Sequence, residues 1–190
     1  MTVITPCLWF DGNGLEAAEH YVSVIPNSRV TSVSRYGPDQ PGQDGAVMTV
    51  AFELDGQPYT ALNGGPQFPF TEAISLQVTA RGQQEVDRYT EQLTSGGGEV
   101  GQCGWVKDRF GLSWQVVPVE LGELIGDPDP VRANAAVQAM LGMRKIDIQG
   151  LRDAVTAASP SRLGQPAGPA RARARTRSLS TATPGVGSPA

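Results

Sequence analysis

Residues 3–25 read VITPCLWFDGNGLEAAEHYVSVI, and residues 73–94 read AISLQVTARGQQEVDRYTEQLT. Each opens on an alternating apolar stretch of strand type, 3–10 and 73–79, and continues with helical periodicity over 15–25 and 84–94. The first helix carries Leu15, Ala18, Tyr21, Val22 and Ile25 on one stripe, and the second carries Val86, Tyr89 and Leu93. At an offset of 68 residues the two stretches superpose without a gap, Thr5 on Ala73, Cys7 on Ser75, Leu8 on Leu76, Trp9 on Gln77 and Tyr21 on Tyr89. Agreement of strand phase and helix phase together points to an internal duplication.

Strand-type sequence follows each helix. Residues 29–36 (RVTSVSRY), 46–54 (AVMTVAFEL) and 59–63 (YTALN) complete the first unit, with Asp55-Gly56 as a hairpin turn signal between the last two. Residues 99–107, with room for two short strands, and 112–118 (LSWQVVP) complete the second. Each unit therefore reads βαβββ, and the fold class is α+β. A paired domain is expected over 1–118, with module one at 3–64 and module two at 73–118. The polar loop GPDQPGQDG, 37–45, has no counterpart in the second unit and is a candidate flap. Residues 119–157 return to helical periodicity and are expected as an extension packed on the pair. Leu121, Leu124 and Ile125 suit a short helix, and Asp127-Pro128-Asp129-Pro130 breaks it. Val131 to Met143 forms another, with Val137, Met140 and Leu141 inward, and Asp147 is placed to cap a last one.

Charge is divided unevenly along the chain. Residues 1–157 hold all 19 acids and 10 of the 15 bases, a net −9, whereas residues 158–190 hold five arginines and no acid. That last segment, mainly Ala, Pro, Gly, Ser, Thr and Arg, has too few large apolar side chains to offset its ordering entropy, so a disordered basic tail is expected. An acidic body argues against a nucleic-acid partner, because affinity for phosphate backbones comes from Lys and Arg. No apolar run approaches the roughly 20 residues of a membrane-spanning helix, and the start, MTVITPCLWFDGNG, lacks a signal-peptide pattern. A cytoplasmic protein without a membrane partner is expected. Cys7 and Cys103 are expected as reduced thiols, and two cysteines alone make no zinc site.

Three strings carry a family resemblance: TPCLWFDG at 5–12 followed by EAAEHY, ALNGGPQFPFTEAISL at 61–76, and DRFGLSWQVVP at 108–118. With the tandem βαβββ plan they resemble the vicinal oxygen chelate superfamily, which includes glyoxalase I, extradiol dioxygenases, fosfomycin-resistance proteins and bleomycin-binding proteins. Within it the chain is most similar to the PhnB-like group, often labelled 3-demethylubiquinone-9 3-methyltransferase. The resemblance implies mixed sheets that cup into the halves of one cavity. It also implies that metal ligands, where present, come from the first and fourth strands of both modules, as His, Glu, His and Glu. Here those places hold Thr5, Ala61, Ala73 and Gln115, two of which have no donor atom and none of which has the charge or basicity for a transition metal. No metal and no cofactor are expected. The sole histidine, His20, stands between Glu16 and Glu19 and is expected on a solvated helix face.

Side chains alternate across a strand. With Ile4, Pro6, Leu8 and Phe10 packed on the first helix, Thr5, Cys7 and Trp9 face the cavity, and by the same reasoning so do Ser75 and Gln77. In the fourth strands Asn63, Ser113 and Gln115 are assigned to it as well. The expected ligand cavity is thus Thr5, Cys7, Trp9, Asn63, Ser75, Gln77, Ser113 and Gln115, polar groups around an aromatic residue, which suits a small uncharged or aromatic molecule. The alternative is an enzyme of undefined reaction, a metal-dependent lyase or dioxygenase or the methyltransferase of the family labels. A methyltransferase of the usual parallel-sheet kind needs alternating helices, whereas three strands follow the first helix here. Asp108 and Arg109 are expected as turn and ion-pair residues. An open cupped sheet leaves edges to cover, so a homodimer is the expected assembly.

Overall fold

In the computed structural model, which describes residues 4–158, strand β1 (Cys7–Phe10) turns through Asp11, Gly12 and Asn13 into helix α1 (Gly14–Val24). Strands β2 (Arg29–Arg35), β3 (Val47–Leu54) and β4 (Gln57–Asn63) follow, in the sheet order β1-β4-β3-β2. β1 and β4 are parallel and the other pairs antiparallel, so the sheet is mixed. The second unit repeats the plan with β5 (Ser75–Ala80), α2 (Gln83–Thr94), β6 (Glu99–Val100), β7 (Trp105–Lys107) and β8 (Ser113–Pro118), in the order β5-β8-β7-β6. Cys7 opens β1 and Ser75 opens β5, the two positions that the 68-residue offset superposes. The fold is α+β, built from two βαβββ modules.

Local chemistry accounts for the turns and caps. Asp55 and Gly56 have φ of 46° and 79°, both left-handed, the backbone of a two-residue hairpin whose twist matches its strands. Glu85, in the first turn of α2, accepts from the Arg81 amide at 2.8 Å and so satisfies a donor ahead of the helix. Helices α3 (Val119–Ile125), α4 (Pro130–Leu141) and α5 (Ile148–Ala158) form the extension. Asp129 caps α4 by accepting from Val131 N at 2.9 Å, with Pro130 at the first helical position, where its missing N–H costs nothing. Asp147 accepts from Gln149 N at 3.0 Å at the start of α5.

The extension is tied to module two through α2. Gln83 donates from Nε2 to Ile146 O at 3.0 Å and accepts from Ile148 N at 2.9 Å, and Ile146, Leu151 and Val155 are buried beside it. One expectation fails here: Leu141 is 54 % exposed and α4 buries Ala136 instead. Val137 and Met140 of the same helix are partly buried, Met140 against the core, and Leu141 at the helix end lies beyond that contact. The tail expectation falls on 158–190, of which all but Ala158 lie outside the described residues.

Aromatic packing joins the two modules. Tyr21 of α1 is fully buried and meets the Trp114 ring of β8 edge-on at 5.2 Å, Phe110 at 5.9 Å and Phe52 of its own sheet at 6.3 Å. Each such large side chain removed from water stabilises the fold by roughly 1.5–3 kcal/mol. At the centre lies Asp108, 3 % exposed, which accepts from Tyr21 Oη, Trp114 Nε1, Phe110 N and Leu112 N. Four donors satisfy a carboxylate that burial would otherwise penalise heavily. Asp108 is thus a joint between modules as well as a turn residue, and its neighbour Arg109 pairs with Glu16 at 3.0 Å.

Candidate functional site

Leu8 and Phe10 are buried under α1, while Cys7 is exposed and Trp9 half-buried on the opposite face of β1. Thr5 precedes the strand and is exposed. In the parallel register Cys7 stands beside Thr60 and Trp9 beside Leu62, whereas Leu8 stands beside Ala61 and Phe10 beside Asn63. Asn63 therefore lies on the helix face, and its assignment to the cavity is corrected. Its Oδ1 accepts from Gly14 N at 2.8 Å and its Nδ2 donates to Val47 O at 3.0 Å, so the side chain anchors the start of α1. A Cβ on Gly14 would come within 2.7 Å of that oxygen and 3.2 Å of the Ala61 methyl, which explains both the glycine and the small residue opposite it. The residues that share the Cys7 and Trp9 face are Thr60 and Leu62. Sequence phase missed them because YTALN is equally apolar in both parities, and only the pairing with β1 decides between them.

In the second sheet Trp114 and Val116 are buried against α2, and Ser75, Gln77, Ser113 and Gln115 share the other face. Ser75 pairs in register with Ser113 and Gln77 with Gln115. Gln115 Nε2 donates to Ser75 Oγ at 2.8 Å, and Gln77 is exposed. Ser113 is 1 % exposed, closed in at the foot of the strand.

The junction between modules folds back along β1. Trp9 Nε1 donates to Gly65 O at 2.8 Å, its ring meets Phe68 edge-on at 5.0 Å, and a Cβ on Gly64 would lie 2.2 Å from the indole. Trp9, Phe68, Phe70 and Phe110 line a cleft of about 280 Å3 there. Gln77 lines a separate cavity of about 570 Å3 between the modules. Neither cavity takes in Cys7, Ser75, Ser113 or Gln115.

His20 is not on a solvated face. It is half-buried, 5.9 Å from the Phe110 ring and 6.0 Å from Tyr21, and its Nε2 is buried with no hydrogen-bond partner among the described residues. Burial and then the Arg109 guanidinium hold its pKa below the usual 6.5, against a weaker upward pull from Asp108 and Glu16. The flanking acids hid this in the sequence. The Phe110 turn that covers the ring arrives from the other module.

Two mixed four-stranded sheets in βαβββ modules place the chain in the vicinal oxygen chelate class of folds. It belongs to the family described as 3-demethylubiquinone-9 3-methyltransferase, whose model matches residues 2–117. Among solved structures it is similar to the PhnB protein from Bacillus cereus, at 32 % identity over 62 % of this chain and 100 % of that one, with a TM-score of 0.57. It is also similar in fold to protein PA1353 from Pseudomonas aeruginosa, at 22 % identity over 62 % and 98 % of the two chains and a TM-score of 0.53. A fosfomycin resistance protein, FosX, from Listeria monocytogenes aligns at 15 % identity over 62 % and 93 %, with a TM-score of 0.40. No curated protein matches the chain.

Two groups implied by this kinship can be tested against the residues present. Where such a fold holds a metal, the ligands stand at the first and fourth strands, and the cavity-face positions there are Cys7, Thr60, Trp9, Leu62, Ser75, Ser113, Gln77 and Gln115. None is an imidazole or a carboxylate, the one thiol, Cys7, has no second metal-binding group beside it on that face, and Ala61 points to the helix, so these residues do not fit a transition metal. No group of three or more His, Cys, Asp or Glu among the described residues is placed to hold one elsewhere. A methyl-donor cofactor bound at a glycine-rich strand-to-helix turn needs free backbone amides. The Gly14 amide is taken by Asn63, and the glycine serves the chain's own packing, so that turn does not fit such a cofactor. No helix among the described residues is long and apolar enough to cross a membrane.

Proposed function

We propose that the chain binds a small uncharged or aromatic molecule on the sheet faces turned away from α1 and α2, in a cavity that uses no metal and that a second copy closes. The observation carrying this reading is the side-by-side register of Ser75 with Ser113 and Gln77 with Gln115, with Cys7, Trp9 and Thr60 on the matching face of the first sheet. These are hydrogen-bonding groups beside an indole, a lining suited to a neutral flat ligand. Homodimer formation is supported by the exposure of Cys7 and Gln77 and by the apolar surface at Ile4, Phe68 and Ile74, which are 84 %, 64 % and 54 % exposed. The proposed lining is Thr5, Cys7, Trp9, Ser75, Gln77, Ser113 and Gln115, without Asn63.

A thermal-shift screen of neutral aromatic compounds tests the reading. A ligand binding only the folded state adds about 2.7 kcal/mol at a hundredfold excess over its dissociation constant. Binding is expected to weaken in Gln115→Ala and Trp9→Ala. A hit whose shift survives both substitutions removes this face as the site. Light scattering at micromolar concentration is expected to give the mass of two chains, and a monomer would overturn the shared cavity.

A further inference from the structure

The cavity of about 570 Å3 between the modules touches the face just discussed at Gln77 and otherwise lies on the helix side of the first sheet and at the free edge of the second. Its volume falls within the range of small-molecule sites. One wall comes from the end of α1 and the β3–β4 hairpin, including Leu54 and Tyr59, and the other from β5 and α2, including Leu76, Val78 and Tyr89, with Trp114 between. Both modules must be docked for it to exist.

Its polar groups divide into those already engaged and those that are not. Asp55 accepts from Asn27 Nδ2, and Glu85 accepts from the Arg81 amide. By contrast the Arg81 guanidinium has no ion pair or hydrogen bond among the described residues, where six other arginines and lysines, from Arg29 to Arg152, are paired with carboxylates. Gln57, Gln77 and Thr79 likewise line the cavity without side-chain partners among the described residues. The floor is aromatic. Tyr59 stacks on Phe52 at 5.4 Å with its rings 20° apart, and burial pushes its phenol pKa upward, so at neutral pH it is a donor without charge. The lining holds two carboxylates, Asp55 and Glu85, each bonded by a neutral donor, and one guanidinium, Arg81, without a partner among the described residues. A ring-lined floor with that cation at its rim suits a flat apolar body whose one negative charge sits at Arg81.

We propose that the cavity between the modules is a second ligand site, for a small aromatic carboxylate whose ring lies over Leu54, Tyr59 and Trp114 and whose carboxylate meets Arg81. It does not depend on the reading of the sheet faces, which concerns uncharged ligands and shares only Gln77 with it.

The test uses the full chain carrying Trp9→Phe and Trp105→Phe, which leaves Trp114 as its one tryptophan. Emission excited at the red edge of the indole band is followed during titration with biphenyl-4-acetate and with neutral biphenyl-4-acetamide. A saturable change with the acid is expected, with the amide weaker by about tenfold, the scale of one charge-assisted hydrogen bond. Arg81→Gln is expected to weaken the acid by about tenfold, and Arg81→Lys, which keeps the charge, by less. Arg81 is exposed, so both variants should keep the wild-type melting curve, which is recorded alongside. No saturable response to the acid, equal binding of acid and amide, or unchanged affinity in Arg81→Gln each overturns the proposal. None of these outcomes bears on the screen of neutral compounds with Gln115→Ala, so the two sites fail separately.

Discussion

Tyr21 Oη donates to Asp108 Oδ2 at 2.8 Å across 87 residues of sequence, and this bond fastens the helix of one module to the final hairpin of the other. Burial and the neighbouring carboxylate push the Tyr21 phenol far above its ordinary pKa, so it is a protonated donor at neutral pH. The same carboxylate oxygen takes the Trp114 indole N–H at 2.9 Å, so the two largest rings at the junction are oriented by one group.

Asp108→Asn puts an amide where four donors converge, so at least one donor meets another. The loss is expected to be about 2–4 kcal/mol, the scale of a broken buried charged network. Tyr21→Phe removes one bond and keeps the ring, with an expected loss of about 1–2 kcal/mol. Urea unfolding of the singles and the double measures the coupling, and additive losses would show that the pair acts independently.

His20 makes stability pH-dependent in a defined window. Its pKa is lowered in the folded chain, so the unfolded chain takes up the proton first. The contribution is intact above about pH 6.5 and is lost as pH falls from there toward the folded value. The carboxylates Asp87, Glu120 and Asp127, each held low first by a side-chain hydrogen bond, lose their contributions only below the ordinary carboxylate range. Denaturant midpoints between pH 7.5 and 5 are therefore expected to fall less in His20→Gln than in the wild type, and equal slopes would remove His20 as the cause.

Asn63→Ala frees the Gly14 amide and the Val47 carbonyl, at an expected cost of about 1–3 kcal/mol. Gly14→Ala drives a methyl against the same oxygen and is expected to cost about 1–3 kcal/mol by overpacking. In the double variant the overlap with the amide oxygen disappears, so its loss should be less than the sum. Calorimetry or urea titration decides, and full additivity would break the proposed contact.

Arg152 meets both carboxylate oxygens of Glu120 and joins α5 to α3, but its side chain is 52 % exposed. Arg152→Ala is expected to cost no more than about 1 kcal/mol, because an exposed pair is screened by water and salt. A larger loss at high salt would show that packing of its stem dominates.

The sequence alone determined the repeating plan, because it is written in local periodicity. The strand and helix phases of 3–25 and 73–94, the Asp55-Gly56 turn and the cap at Asp147 each depend on residues a few positions apart. The first strand of each module could be phased for the same reason, since Leu8, Phe10, Leu76 and Val78 leave one parity plainly apolar. Only the tertiary structure decided the rest. The β4 parity was ambiguous in YTALN and was settled by the close approach of Gly14, which places Ala61 and Asn63 under the helix. His20 and Asp108 acquired their surroundings from the opposite module, across separations that no local pattern records. The cavity at Arg81 exists because two modules dock, and its floor is assembled from Leu54, Tyr59, Tyr89 and Trp114, residues that periodicity marks only as apolar. Periodicity reports which side of an element is buried. What stands against that side is fixed by long-range packing, where shape and hydrogen-bond satisfaction select one partner among many apolar ones.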